Sequence, residues 1–271
     1  MKKLISIILV LILTIGMFTA CGKDNVNDSD SGKIKDFKIK HEYVDGNYYI
    51  FAKKFDNDSK APYMKLIVKN KIITGIYFNY ISSNGKLYLS DNNNNETWFY
   101  IKTLNTAVLQ NQDKIKNTNQ NYEDVYKIYN ELLTEGLKSI KNGKNNISYV
   151  DFATTYTAQN YKYDKNGYDA TLKVTYENNV ISKISYTKKD SSGNIITSNN
   201  SYLKKFKDSN NINYQKYIQN VIDLSKGEDK VRQSLNDLDI DKEYNILAKR
   251  INAKAIDFDY TKYEIFNDIN I

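Results

Sequence analysis

Tyr63-Met64-Lys65-Leu66-Ile67-Val68-Lys69-Asn70-Lys71-Ile72-Ile73-Thr74-Gly75-Ile76-Tyr77-Phe78-Asn79-Tyr80 is the stretch on which the fold turns. β-branched and aromatic residues alternate with polar ones on both sides of Asn70-Lys71. This is the pattern of two antiparallel strands joined by a two-residue turn. The pattern returns as Ala170-Thr171-Leu172-Lys173-Val174-Thr175-Tyr176, Glu177-Asn178-Asn179 and Val180-Ile181-Ser182-Lys183-Ile184-Ser185-Tyr186. Asn178 lies 108 positions after Asn70 (178 − 70 = 108), and Gly193, in the turn Asp190-Ser191-Ser192-Gly193-Asn194, stands at the same offset from Gly85 in Ser82-Ser83-Asn84-Gly85-Lys86. A constant offset is the mark of an internal repeat.

Each hairpin leads into segments of helical pattern. Trp98 to Leu109 carries Ile101, Leu104 and Val108 at helical spacing, with Phe99 expected in the core. Tyr122 to Ile140 places Val125, Ile128, Tyr129, Leu132, Leu133 and Leu137 on one face. The second half offers Tyr214 to Leu224 and Lys242 to Ile256 in the same roles. Extra strands are expected over Asn47–Phe55 and Val150–Tyr163. The expectation is an α+β protein of two tandem repeats, each an antiparallel sheet with two helices packed on one face. The repeats span 38–146 and 147–257. A tail, 258–271, is acidic and aromatic, and is expected to add a strand or cover an edge.

The N-terminus reads as a secretory signal over residues 1–20: Lys2-Lys3, an apolar run from Ile5 to Phe18, then Thr19-Ala20 before Cys21. The run is shorter than the ~20 apolar residues of a membrane-spanning helix. Phe18-Thr19-Ala20-Cys21 resembles the lipobox of bacterial lipoproteins, with Phe18 where the family usually has Leu. The resemblance implies a diacylglyceryl group on Cys21; the alternative is an ordinary signal peptide followed by a cysteine. Two acyl chains anchor stably where one does not. Residues 22–37 are polar and nearly free of apolar side chains, so 21–37 reads as lipidated cysteine and flexible tether. The expected location is the extracellular face of the cell membrane.

The chain has one cysteine, one histidine and one proline. With Cys21 acylated, thiolate metal sites, disulfides within the chain and cysteine nucleophiles are all excluded. His41 stands alone, which argues against a histidine-based metal site or a serine triad. Asp56-Asn57-Asp58-Ser59 and Asp91-Asn92-Asn93-Asn94-Asn95-Glu96 lack EF-hand spacing and read as solvated turns. Net charge is +7, but the lysines are scattered and arginine is scarce, so no nucleic-acid partner is expected. No motif points to glycosidase chemistry.

The layout resembles the FMN-binding-domain family, especially its tandem-repeat lipoproteins in Gram-positive bacteria. Three stretches carry the likeness: Gly46 to Asp56, the hairpin Lys65 to Phe78, and the helix from Trp98-Phe99-Tyr100 through Leu109-Gln110-Asn111-Gln112-Asp113-Lys114-Ile115. It covers 46–140 best and 150–256 more loosely. The family's Ser-Gly-Ala-Thr motif is not retained; Ile115-Lys116-Asn117-Thr118-Asn119-Gln120-Asn121-Tyr122 stands in its place, and Val231-Arg232-Gln233-Ser234-Leu235-Asn236-Asp237 in the second half matches it less. Thr118, near the family's attachment position, and Trp98, able to stack on a planar ligand, are the candidates for cofactor contact. The expected function is a non-catalytic surface lipoprotein with a ligand- or protein-binding role, resembling a degenerate FMN-binding domain and carrying no cofactor. The alternative is a flavin-carrying electron-transfer lipoprotein. The expected partners are the membrane, through the anchor, and a small ligand or an envelope protein.

Overall fold

A computed structural model describes residues 43–89, 96–143, 146–236, 238–267 and 269. The signal segment, Cys21, the tether, His41 and the Asp91–Asn95 stretch lie outside the described residues. The first sheet holds β1 (Gly46–Ala52), β2 (Lys60–Lys69), β3 (Ile72–Ser82) and β4 (Ile147–Val150), in the order β3-β2-β1-β4. The second holds β5 (Thr154–Gln159), β6 (Tyr168–Glu177) and β7 (Val180–Asp190), in the order β5-β6-β7. The helices are α1 (Glu96–Asn111), α2 (Glu123–Asn142), α3 (Asn200–Asn210), α4 (Tyr214–Asp223) and α5 (Asp239–Lys254). The fold is α+β. No helix among the described residues is long and apolar enough to cross a membrane.

The hairpins form where the alternation places them. Both tight turns have two successive left-handed residues, Asn70 and Lys71 at φ 54° and 65°, Asn178 and Asn179 at φ 51° and 65°. That twist suits a two-residue hairpin. Local detail recurs at the same offset. The ladder β2/β3 is irregular at Ile67/Val68 and β6/β7 at Thr175/Tyr176. The Asp56 Oδ1 accepts from the backbone N–H of Asp58 and Lys60, and the Asp164 Oδ1 from those of Asn166 and Tyr168. Lone bridges join Ile81 to Leu87 and Lys189 to Ile195.

Alternation sends Tyr48, Ile50, Met64 and Leu66 to the face that meets α1 and α2, where Leu104, Val108, Tyr129 and Leu132 are buried. α2 comes close enough that only glycine fits at 136: a Cβ there would stand 2.6 Å from a methyl of Leu66. Gln112 ends α1 in a left-handed conformation, and its buried amide bonds both the N–H and the carbonyl of Ile73, tying the helix to β3. The second core gathers Leu172, Val174, Tyr176 and Ile184 against Val221, Tyr244, Leu247 and Ile251.

Three features depart from the expectation. The first sheet is not wholly antiparallel, because β4 runs parallel to β1. Val150–Tyr163 is accordingly not one strand: the chain breaks at residues 151–153 and divides between the two sheets. The second half has three helices, since α3 precedes the expected pair. It has no fully buried residue, so its helical stripe was too thin to read. Among the described residues the tail adds no strand beyond a lone bridge of Asp257 to Lys54, with the Phe258 N–H donating to the Lys53 carbonyl. Phe258, Tyr260 and Phe266 pack on Phe51, with ring centroids 5.3, 5.4 and 5.0 Å away, covering the outer face of the first sheet. This is why β1 is buried on both faces and loses its alternation.

Candidate functional site

Each half has a cleft where the turn entering its hairpin meets the start of its last helix. The first, about 590 Å³, is lined by Asp56, Tyr80, Asp124, Lys127 and Ile128, and by the second half's Ala153, Thr154, Glu177 and Asn178. The second, about 540 Å³, is lined by Asp164, Lys188, Asp239, Lys242 and Glu243, and by α3. These five positions correspond. Asp164 and Lys188 lie at the hairpin offset from Asp56 and Tyr80. Superposing the buried pairs Tyr129/Leu132 of α2 and Tyr244/Leu247 of α5 matches Asp124 with Asp239, Lys127 with Lys242 and Ile128 with Glu243.

The chemistry has diverged at two of the five positions. Where the first half has Tyr80 and Ile128, the second has Lys188 and Glu243. Lys188 faces inward on β7, in phase with the buried Ile184 and Tyr186, and is 3% exposed. Its ammonium donates to Asp164 Oδ2 and to Glu243 Oε2, the latter at 2.5 Å. The Tyr186 hydroxyl also donates to Glu243 Oε2, at 3.3 Å. Burial pushes the Asp164 carboxyl up. The Lys188 hydrogen bond and charge and the backbone N–H groups of Tyr168 and Asn166 outweigh it, leaving the carboxyl below the usual carboxylate range. At the rim, Lys165 pairs with Asp239 at 2.5 Å, both exposed.

α3 supplies the wall. It starts on Asn199, whose side chain accepts from the Tyr202 N–H. Tyr202 and Phe206, one helical turn apart, have ring centroids 6.3 Å apart and planes 24° apart. Tyr214 meets both edge-on, at 5.8 and 5.3 Å. The Tyr202 hydroxyl is pushed up to about 12, first by burial and then by the Asp164 and Glu243 charges.

The residues singled out from sequence lie elsewhere. Thr118 is exposed in the loop between α1 and α2, and neither it nor Trp98 lines either cleft. Trp98 is half-buried at the start of α1, with the Lys102 ammonium 3.1 Å from its ring centroid. Phe99, expected in the core, is 57% exposed, because α1 turns Tyr100 and Ile101 inward instead. A flavin phosphate needs unspent backbone N–H groups. Around Thr118 the N–H groups of Lys114, Asn119 and Asn121 are taken by the side chains of Asp113, Asn117 and Asn119. Among the described residues no three His, Cys, Asp or Glu gather as a metal site.

Sequence reasoning passed over Lys188 and Glu243. One signal was available: matching the halves puts a lysine at an inward position of β7 where β3 has tyrosine.

No protein-family model matches the chain, and no curated protein matches it. Among solved structures it is similar to the crystal structure of the CPE2226 protein from Clostridium perfringens, at 18% identity and a TM-score of 0.36, over 41% of this chain and 98% of that one. It is also similar to a solution NMR structure from Clostridium thermocellum, at 18% identity and a TM-score of 0.26, over 37% of this chain and 92% of that one.

Proposed function

We propose that the chain is a lipid-anchored protein of the Gram-positive cell surface, built of two diverged copies of one α+β unit, that binds its ligand in the second cleft and catalyses nothing. The recurrence of turns, ladder irregularities and aspartate hydrogen bonds at one offset supports the two-copy reading. The Lys188–Asp164–Glu243 group carries the binding reading. Burying an ammonium between two part-buried carboxylates is expensive, and apolar residues often serve stability as well. The first half fills the matching positions with Tyr80 and Ile128, so the fold does not require the ions.

The chain is read as non-catalytic because no catalytic motif accompanies this group; Lys188 and two backbone N–H groups hold the Asp164 carboxyl below the usual range, opposite to the shift a general acid needs. The resemblance to FMN-binding domains is read as one of layout, because the Ser-Gly-Ala-Thr motif is not retained and three backbone N–H groups near Thr118 are taken by side chains. The flavin-carrying alternative requires a yellow protein; a colourless protein with no thermal shift on added FMN removes it.

Two measurements test the reading. Radiolabelled palmitate is incorporated by the parent chain and not by Cys21→Ala; equal labelling removes the anchor. Chain purified from its host in mild detergent sediments with cell envelopes stripped of membrane lipid, and Phe206→Ala weakens its affinity at least about tenfold, the cost of one lost contact worth about 1.4 kcal/mol. Equal sedimentation of both, or of neither, overturns binding through this cleft.

A further inference from the structure

Resting on the second cleft being the binding site, we infer that its ligand is a neutral, hydroxyl-rich ring: a pyranose unit of a glycan. The second cleft is lined by three carboxylates, Asp164, Asp239 and Glu243, and four ammonium groups, and the innermost charges are already spent on one another. A strongly charged ligand finds no large opposite field there. The first cleft, with five carboxylates against two ammonium groups, is acidic by contrast.

An ammonium has three donors, and Lys188 uses two, one on Asp164 and one on Glu243. Glu243 takes both its bonds on Oε2, leaving Oε1 as an acceptor. Asn166, Ser209 and Asn210 border the same space. A donor and an acceptor side by side on a buried floor are satisfied together by hydroxyl groups, which donate and accept at once. Carboxylates or phosphates only accept, and would face Glu243 and Asp164 with like charge.

Tyr202 and Phe206 make a nearly continuous aromatic strip on one wall, with Leu238 and Ile240 nearby. A pyranose has a flat C–H face and a rim of hydroxyls. Its C–H face gains dispersion and apolar burial on aromatic rings, while its rim meets the polar floor. About 540 Å³ falls within the range of small-ligand clefts. The first cleft is an internal control: it has Tyr80 and Ile128 in place of the floor, and the chain of the second half in place of the aromatic wall.

The test uses chain purified from its host in mild detergent and a panel of methyl glycosides and short oligosaccharides, with FMN and an acidic peptide alongside. Binding is read by calorimetry and by saturation-transfer NMR. At least one glycoside binds with Kd of about 0.1–1 mM. Phe206→Ala and Glu243→Gln each weaken it about tenfold or more, with near-ultraviolet circular dichroism confirming that they fold. Lys127→Ala, in the first cleft, leaves it unchanged. No response to any glycoside up to about 10 mM overturns the inference, as does binding that both variants leave intact, or tighter binding of FMN or the peptide at this cleft. If envelopes still bind through Phe206 but no glycoside competes, the sugar class is wrong and the cleft is right. If envelopes do not bind, the cleft itself is wrong.

Discussion

Replacing Lys188 with Met keeps most of the side-chain volume and removes its charge. Asp164 and Glu243 are then left 15% and 19% exposed with no ammonium between them. Breaking a buried ion group by removing one partner costs ~3–5 kcal/mol. Two features reduce that figure: both carboxylates touch solvent, and Asp164 keeps its bonds from Asn166 and Tyr168. A loss of about 2–3 kcal/mol is expected for Lys188→Met, or about 4–12 °C in Tm for a domain of this size. The double variant Lys188→Tyr/Glu243→Ile copies the first half's solution and should recover at least half of the loss. The acid limb gives an independent readout. The folded pKa of Asp164 lies below its unfolded value, so its contribution is present above the unfolded value and is lost as pH falls through the folded one. The parent protein therefore loses stability below about pH 4, and Lys188→Met loses less of it over that range. Urea unfolding between pH 3 and 7 measures all of this. A Lys188→Met stability within about 0.5 kcal/mol of the parent, or a double variant no better than the single, would refute the claim that the ions are bound to each other at a cost in desolvation.

Gly136→Ala sets a Cβ 2.6 Å from Leu66 Cδ1 and 3.0 Å from Ile50 Cδ1; overpacking should cost about 1–3 kcal/mol in urea unfolding despite alanine's better helix propensity, and Leu66→Val should relieve part of it. Lys71→Gly relaxes a lysine at φ 65° and should stabilise by about 0.5–1 kcal/mol. Asn179→Gly, at the same φ in the second hairpin, should gain less because asparagine tolerates that region; equal gains would contradict the side-chain argument. Removing residues 258–271 strips Phe258 and Phe266 from Phe51 and Tyr63; losing two buried aromatic rings should cost about 3–6 kcal/mol and raise dye binding to the exposed sheet face, and an unchanged melting temperature would show that the tail does not cover it.

The hairpins were legible because everything that specifies them is local. Alternation, two left-handed turn residues and an aspartate that binds its own backbone two and four residues on are all written within about twenty positions. α1, α2, α4 and α5 were legible for the same reason, each carrying a continuous apolar stripe. α3 was not. Tyr202, Leu203 and Phe206 are half-buried, and its capping residue Asn199 resembles any turn asparagine in an asparagine-rich chain. Of β4 only Val150 was read as strand, joined to what is β5, because parallel pairing across most of the first half has no local signature.

By itself the sequence determined the class of the fold, the two hairpins and their common offset, and an N-terminal segment that reads as a lipid anchor. Only the tertiary structure brought Lys188 together with Glu243, 55 residues further on, and set α3 beside them as an aromatic wall. The physical reason is range. Secondary structure follows from side-chain period and turn chemistry over a few residues. A buried ion group exists only once a strand, a turn and a helix have been packed against one another, and only then does a lysine in phase with isoleucine and tyrosine become the floor of a site.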